Sequence, residues 1–186
     1  MDSEPGLESL LLDYQRGDLM AATSLVNRLS PQLQRFFAVQ GTSRREAEDL
    51  LQETWLRVHQ VRHTYRPGAP VLPWLYAIAR HIRIDHFRQT LRRQSHAAAL
   101  AKAATAAAPS GGAAAGLDLE ALLSTLPDSQ REVVAMLKVA DMSLEETALA
   151  TGSSVGSVKQ KAHRAYEKLR QLLENRGMRS TTGRHL

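Results

Sequence analysis

The amino-acid sequence predicts an all-α protein built from two small helical domains. Apolar residues recur every three or four positions along most of the chain, which is typical of helices that bury one face. Alanine, leucine, arginine, glutamine and glutamate dominate, whereas there are only three Phe, two Trp and four Tyr, which suggests small cores. An Ala- and Gly-rich stretch at residues 96–117 interrupts the helical pattern and divides the chain in two.

The charge distribution favours a nucleic-acid partner. The net charge is +5, and basic residues concentrate in residues 80–93 and 159–170, one segment on each side of the Ala-rich stretch. Residues 118–146, in contrast, carry seven acidic side chains and only two basic ones.

The absence of cysteine excludes disulfides and thiolate metal sites. No apolar run approaches the length of a membrane span and no basic leader begins the chain, so a cytoplasmic protein without stable membrane insertion is expected.

Residues 1–95 are expected to form the first domain, and capping residues mark its helices. Asp18 is suited to cap one helix, and Ser30 followed by Pro31 is typical of the start of the next. Ser43 and Glu46 have the spacing of a capping box, which opens a long helix that ends near His63.

This long helix carries a polar row whose role its periodicity leaves open. Asp49, Gln52 and Glu53 lie away from the apolar stripe, and by themselves they indicate no more than a solvated face. His59 and His63 are spaced like metal ligands on a helix. The segment HQVRH lacks the glutamate of a zinc-protease motif, so neither a metal nor another cofactor is expected.

A further helix, beginning near Pro73, combines an apolar stripe with a basic, aromatic face. That face carries Tyr76, Arg80, Arg83 and Phe87. Arginines interleaved with aromatic rings suit single-stranded nucleic acid, because the charges follow the backbone while the rings stack on bases. In the alternative interpretation, Phe87 and Ile84 pack on a neighbouring helix and the arginines around them are solvated.

The Ala-rich stretch is expected to be a mobile linker between the domains. Pro109 and the pair Gly111-Gly112 break any helix that extends into it. The second domain is expected at residues 118–175, followed by a polar, disordered tail at residues 176–186.

The second domain contains the pattern of a helix-turn-helix. Ser143 and Glu146 form a second capping box, and the apolar positions of that helix are Leu144, Ala148 and Leu149. A Gly-containing turn follows, after which Ser154 can cap another helix. The apolar stripe of this last helix comprises Val158, Ala162, Ala165, Leu169 and Leu172. Its free face is basic, as in a helix that reads the major groove, although an ordinary helical hairpin has a similar pattern.

Four blocks, in this order, make the chain resemble the small two-domain bacterial sigma factors of the extracytoplasmic function (ECF) group, group IV of the sigma-70 family. AEDLLQETWLRV (residues 47–58) is similar to the polymerase-binding helix of that family, and PWLYAIARHIRIDHFR (residues 73–88) to its promoter-melting and minus-ten segment. LPDSQREVVAML (residues 126–137) and SLEETALATGSSVGSVKQKAHRAYEKLR (residues 143–170) resemble its second DNA-binding domain.

The resemblance implies a set of partners and a residue set for each. The partners are core RNA polymerase, through its largest-subunit coiled coil and its flap, duplex and melted promoter DNA, and an anti-sigma factor. The polymerase-binding residues are Asp49, Gln52, Glu53 and Leu56. The minus-ten residues are Tyr76, Arg80, His81, Arg83 and Arg88. The minus-thirty-five residues are Ser157, Lys159, Gln160, Lys161, His163 and Arg164.

Two departures from the family pattern concern sequence preference. His81 stands where the family most often has Asn, and Gln160 where a Ser is usual, so the promoter sequence does not transfer from relatives. A stand-alone helix-turn-helix regulator is the alternative function, and the row of Asp49, Gln52 and Glu53 argues against it. Catalysis is not expected, because the chain has no cysteine, no Gly-rich phosphate loop after a strand and no cluster of metal ligands.

Overall fold

The structure, a computed structural model, describes residues 5–100 and 119–181. Throughout these ranges the regular structure is helical, as the sequence predicts. The helices are α1 (Leu7–Gln15), α2 (Leu19–Val39), α3 (Arg44–Val61), α4 (Val71–Leu100), α5 (Leu119–Ser124), α6 (Asp128–Lys138), α7 (Leu144–Thr151) and α8 (Val155–Thr181), with a short 3₁₀ helix at Arg62–Thr64. We call residues 5–100 the N-terminal half and residues 119–181 the C-terminal half.

The predicted capping residues start the helices as expected. The Asp18 carboxylate accepts the backbone N–H groups of Met20 and Ala21 at the start of α2. Both capping boxes are formed: each serine hydroxyl accepts the glutamate N–H, and each glutamate carboxylate accepts the serine N–H. These contacts satisfy N–H groups that have no partner within the helix.

The predicted helix boundary at Ser30 and Pro31 is wrong, because α2 runs through both residues. Proline inside a helix removes one backbone hydrogen bond and costs about 3 kcal/mol. Leu25 and Leu29 before the proline and Leu33 after it are all buried in one core. Burying each of them stabilises the fold by about 1.5–3 kcal/mol, so packing outweighs the cost of the proline.

Two helices extend into the segments that the sequence pattern assigns to the linker and the tail. The predicted linker begins as helix, because α4 continues to Leu100, and residues 101–118 lie outside the described residues. Helix α8 continues to Thr181 and so extends into residues 176–186, which the sequence pattern assigns to the tail. Arginine and methionine favour a helix there, and a single glycine does not break it. Residues 182–186 lie outside the described part of the chain.

The two halves pack against each other. Helix α7 lies on α4, while α5 and α6 contact α2. One continuous hydrophobic cluster includes Phe36 and Leu75 from the N-terminal half together with Leu126 and Met136 from the C-terminal half. A smaller cluster, built around Val133, Ala148, Val158 and Ala162, holds α6, α7 and α8 together.

Arg131 on α6 forms the polar counterpart of this packing. Its guanidinium donates to the carbonyls of Leu123, Ser124 and Leu126 around the end of α5, at 2.9–3.0 Å. It also donates at 3.0 Å to the carbonyl of Gln40, the residue that ends α2 in the other half. One side chain therefore joins the last turns of two helices on opposite sides of the contact.

Within the described residues, no helix is long and apolar enough to cross a membrane.

Candidate nucleic-acid and polymerase interfaces

Helix α3 presents the four predicted polymerase-binding residues on one exposed face. Ala47, Leu50, Thr54 and Val58 are buried against the rest of the N-terminal half and fix the rotation of the helix. All four predicted residues are exposed as a result: Asp49, Gln52, Glu53 and Leu56. Leu56 is 60% exposed and adds an apolar side chain to the polar row.

A groove of about 710 Å³ between α3 and α4 connects this row with the predicted minus-ten segment. Glu53 and Leu56 line it from α3, and His81 and Trp74 from α4. The Nδ1 atom of His81 lies 2.7 Å from the carbonyl of Ala77, which can only accept, so Nδ1 carries a proton and donates. Nε2 is therefore the ring nitrogen available to a ligand. Glu53 and His81, to which the family resemblance gives different partners, share one groove that the sequence did not predict.

Tyr76 is not on an exposed nucleic-acid face, and its placement there is wrong. The residue is fully buried, with its ring edge-on to Phe36 at 5.1 Å between centroids. Burial raises the pKa of its phenol, so the side chain stays neutral. Helix α4 contacts α3 and α7, so more of its surface is buried than a single apolar stripe can cover.

A Tyr76→Phe variant should be at least as stable as the wild type. The Tyr76 hydroxyl is buried without a hydrogen-bond partner, and such a group costs about 1–3 kcal/mol. Thermal unfolding should therefore give an equal or higher Tm, with unchanged binding to single-stranded DNA. A clear loss of DNA affinity would return Tyr76 to the set of contact residues.

Arg80 and Arg83 are engaged by an acidic residue of the C-terminal half. The Glu132 carboxylate lies 3.1 Å from Arg80 Nε and 3.1 Å from Arg83 Nη2. Asp128 adds a longer contact of 3.7 Å to Arg83 Nη1. The Arg83 side chain is 9% exposed and that of Glu132 is 6% exposed. Arg83 is therefore paired and not solvated, which neither interpretation of this face predicts.

The remaining predicted minus-ten residues are accessible. His81 and Arg88 are exposed, and Arg88 has only a 3.7 Å surface contact with Asp85. Phe87 is also exposed and lies one residue before Arg88. An accessible aromatic ring next to a cation is the pairing that single-stranded nucleic acid uses.

Helix α8 presents the predicted minus-thirty-five residues as a reading helix would. Gly152 ends α7 with a left-handed backbone (φ 63°), and the Ser154 hydroxyl then accepts the N–H of Ser157 to start α8. Val158, Ala162 and Ala165 are buried. This rotation leaves Lys159, Gln160, His163 and Arg164 exposed and Ser157 and Lys161 half-buried.

Leu149, one of the apolar positions named for the first helix of the helix-turn-helix, is 65% exposed. Ala148 and Ala150 on either side of it are buried, so α7 turns Leu149 outward beside the residues of the turn.

Glu132 and Asp128 were not predicted from the sequence as partners of the basic face. The excess of acidic residues in residues 118–146 was a signal that could have identified them, because buried cations on one half require anions nearby. Helical periodicity alone cannot pair residues that lie 49 and 52 positions apart in the sequence.

Comparison with known families matches both halves of the chain. Sigma-70 region 2 matches residues 25–93, and sigma-70 region 4 matches residues 116–169. The RNA polymerase sigma factor CarQ of Myxococcus xanthus is 38% identical over 167 residues, which cover 86% of this chain and 93% of CarQ. The ECF RNA polymerase sigma factor SigF of Caulobacter vibrioides is 34% identical over 174 residues, covering 90% and 94% of the two chains.

Solved structures share the fold. CnrH, in complex with the cytosolic domain of CnrY, superposes with a TM-score of 0.70 at 24% identity, covering 90% of this chain and 97% of CnrH. The sigma factor RpoE of Bartonella quintana, in complex with the anti-sigma factor NepR, gives a TM-score of 0.65 at 23% identity, with 82% and 96% covered. With the two matched regions and the near full-length similarity to CarQ and SigF, the chain belongs to the ECF sigma factors of the sigma-70 family, which direct RNA polymerase to promoters.

Proposed function

We propose that this ECF sigma factor binds core RNA polymerase through the exposed row on α3 and acts entirely by binding, without catalysis. The row of Asp49, Gln52, Glu53 and Leu56 carries this proposal, because it is exposed and combines acidic and apolar groups. A stand-alone DNA-binding regulator does not require a surface that binds core polymerase. By its resemblance to the family, the row fits the coiled coil of the largest polymerase subunit, and the C-terminal half fits the flap.

Promoter DNA is proposed to bind at two surfaces. The exposed residues of α8 contact the duplex of the minus-thirty-five element, where base edges give specificity and phosphates give most of the affinity. On α4, Arg80, His81, Arg83 and Arg88 contact the melted strand of the minus-ten element. We place the domain boundaries at residues 1–95 and 118–175, with the linker passing through the polymerase between them.

An anti-sigma factor is proposed as the regulatory partner. RpoE, which shares the fold, is in complex with the anti-sigma factor NepR, and CnrH is in complex with the cytosolic domain of CnrY. The exposed Leu56 and the adjoining groove between α3 and α4 offer an apolar surface that such a protein could cover. This regulation would operate in the cytoplasm.

Run-off transcription tests the function directly. The protein is added to core polymerase on a library of genomic fragments, and the sequences upstream of each start are compared. We expect starts that occur only when the protein is present and that share two conserved elements. Sequence-specific DNA binding with no new transcripts would instead favour the stand-alone regulator.

A further inference from the structure

The Arg80–Glu132–Arg83 cluster, the acidic clamp, brings together groups that serve opposite partners. Two guanidiniums share the two oxygens of one buried carboxylate, with Arg80 Nε on Oε2 and Arg83 Nη2 on Oε1, each at 3.1 Å. Arg83 and Glu132 are almost fully buried, and Arg80 is largely covered. The carboxylate belongs to the C-terminal half and both cations to the N-terminal half.

The chemistry of the clamp resembles that of a bound phosphate. Arginine recognises carboxylates and phosphates with the same planar arrangement of N–H donors, and in both cases the acceptors are anionic oxygens. A guanidinium that donates to Glu132 has those donors occupied. In the closed arrangement the Arg83 side chain, which is 9% exposed beneath Glu132, cannot reach a DNA phosphate, and the Arg80 side chain is 26% exposed with its Nε donor occupied.

The contact between the halves has the features of a reversible interface. Arg83 Nε and both polar atoms of the Gln40 side chain are buried without a hydrogen-bond partner in the described structure. Both residues touch the other half, Arg83 through Glu132 and Gln40 through its carbonyl on Arg131. Water would satisfy these polar atoms if the halves separated, which lowers the cost of opening.

We propose that the C-terminal half is an internal competitor of single-stranded promoter DNA, with Glu132 occupying the arginines that otherwise bind the melted strand. This inference rests on the proposed minus-ten role of Arg80 and Arg83. The halves must separate at the acidic clamp before the strand is captured, and strand binding in turn keeps them apart.

The other two binding surfaces remain accessible in the closed arrangement. Asp49, Gln52 and Glu53 on α3 are exposed, as are Lys159 and Arg164 on α8. Closure therefore blocks strand capture selectively, and it leaves binding to polymerase and to duplex DNA available. The clamp makes strand capture depend on a preceding opening step.

A Glu132→Gln variant tests the clamp, because it keeps the shape of the side chain and removes its charge. Without the Glu132 charge, Arg80 and Arg83 lie in the closed form without this counter-charge, which destabilises that form. The open form is not affected in this way, so the equilibrium shifts toward it. Glu174→Gln is the matched control, since it removes one exposed carboxylate from the same half. Opening is measured by energy transfer between dyes on Gln60→Cys and Lys138→Cys, which are unique labelling sites in a chain without cysteine.

Strand binding is measured in parallel by fluorescence anisotropy, with a labelled pool of short single-stranded oligonucleotides and no polymerase. The apparent affinity scales with the fraction of open protein, and we expect Glu132→Gln to raise it about tenfold. The two freed arginines should steepen the salt dependence by roughly 0.7 per phosphate contact. Energy transfer should change in Glu132→Gln, whereas both measurements should match the wild type in Glu174→Gln.

Two results would overturn the proposal in distinguishable ways. Unchanged energy transfer in Glu132→Gln means that the acidic clamp does not hold the halves together. Altered energy transfer without tighter strand binding means that Arg80 and Arg83 do not bind the strand, so the minus-ten assignment fails while the clamp stands. If circular dichroism shows that Glu132→Gln is unfolded, Asp128→Asn replaces it, because that carboxylate is 54% exposed. Its expected effect on both measurements is smaller and in the same direction.

Discussion

A Glu53→Lys variant should lose assembly with core RNA polymerase and keep its fold. Glu53 is exposed at the edge of the groove between α3 and α4, off the buried stripe that contains Leu50 and Val58. Reversing a charge within an interface places like charges together, which costs several kcal/mol and corresponds to at least about a 100-fold loss of affinity. The free energy of unfolding should change by about 0.5 kcal/mol or less, as for most surface substitutions.

Co-elution with core polymerase on size exclusion provides the measurement, and Glu48→Lys is the control. Glu48 lies on the same helix and is also exposed, where it pairs only with Arg44 at 3.1 Å. The same change of charge at that position should leave assembly intact. If Glu53→Lys co-elutes normally, Glu53 lies outside the polymerase interface. If its melting temperature falls sharply, Glu53 supports the fold instead.

An Arg164→Ala variant should lose recognition of one base pair in the minus-thirty-five element. Arg164 is exposed on α8, almost three turns after the Ser154 cap and opposite the buried Val158 and Ala162. Arginine forms a bidentate pair with guanine in the major groove. Loss of such a pair costs about 1–3 kcal/mol and relaxes the preference at that position alone.

Lys159→Ala is the matched comparison for Arg164→Ala, because Lys159 is also exposed on α8, near its start. A lysine that contacts phosphate contributes about equally on every sequence, and removing it should reduce the salt slope by about one. Both variants are titrated against single-base promoter variants at several salt concentrations. A uniform loss across all promoter variants for Arg164→Ala would show that Arg164 binds phosphate and reads no base.

The local features of this fold were readable from the sequence. Capping residues such as Asp18 and Ser143 act within three residues of themselves, so their hydrogen bonds follow directly from residue order. The rotation of α8 follows from the spacing of Val158, Ala162 and Ala165, which leaves the predicted reading residues on the free side. Long, regular helices therefore presented most of the predicted residues as expected.

Features that depend on contact between the halves were not readable in this way. Pro31 lies inside α2 because the core on both sides of it outweighs a local preference. Tyr76 and Arg83 are buried because α4 is covered on more than one side, by α3 and by a helix from the other half. A periodic pattern identifies an apolar stripe, but it does not show which polar face a distant part of the chain covers.

The shared hydrophobic cluster has a consequence for synthesis of the protein on the ribosome. Helices α2 and α4 emerge first, and their faces toward Leu126 and Met136 remain uncovered until α5 to α7 have been translated. At about 5–20 residues per second, the intervening 50 or so residues take roughly 3–10 s. During that interval the nascent chain exposes apolar surface together with the free guanidiniums of Arg80 and Arg83. Until the C-terminal half covers it, this surface is open to chaperones and to anionic polymers such as RNA.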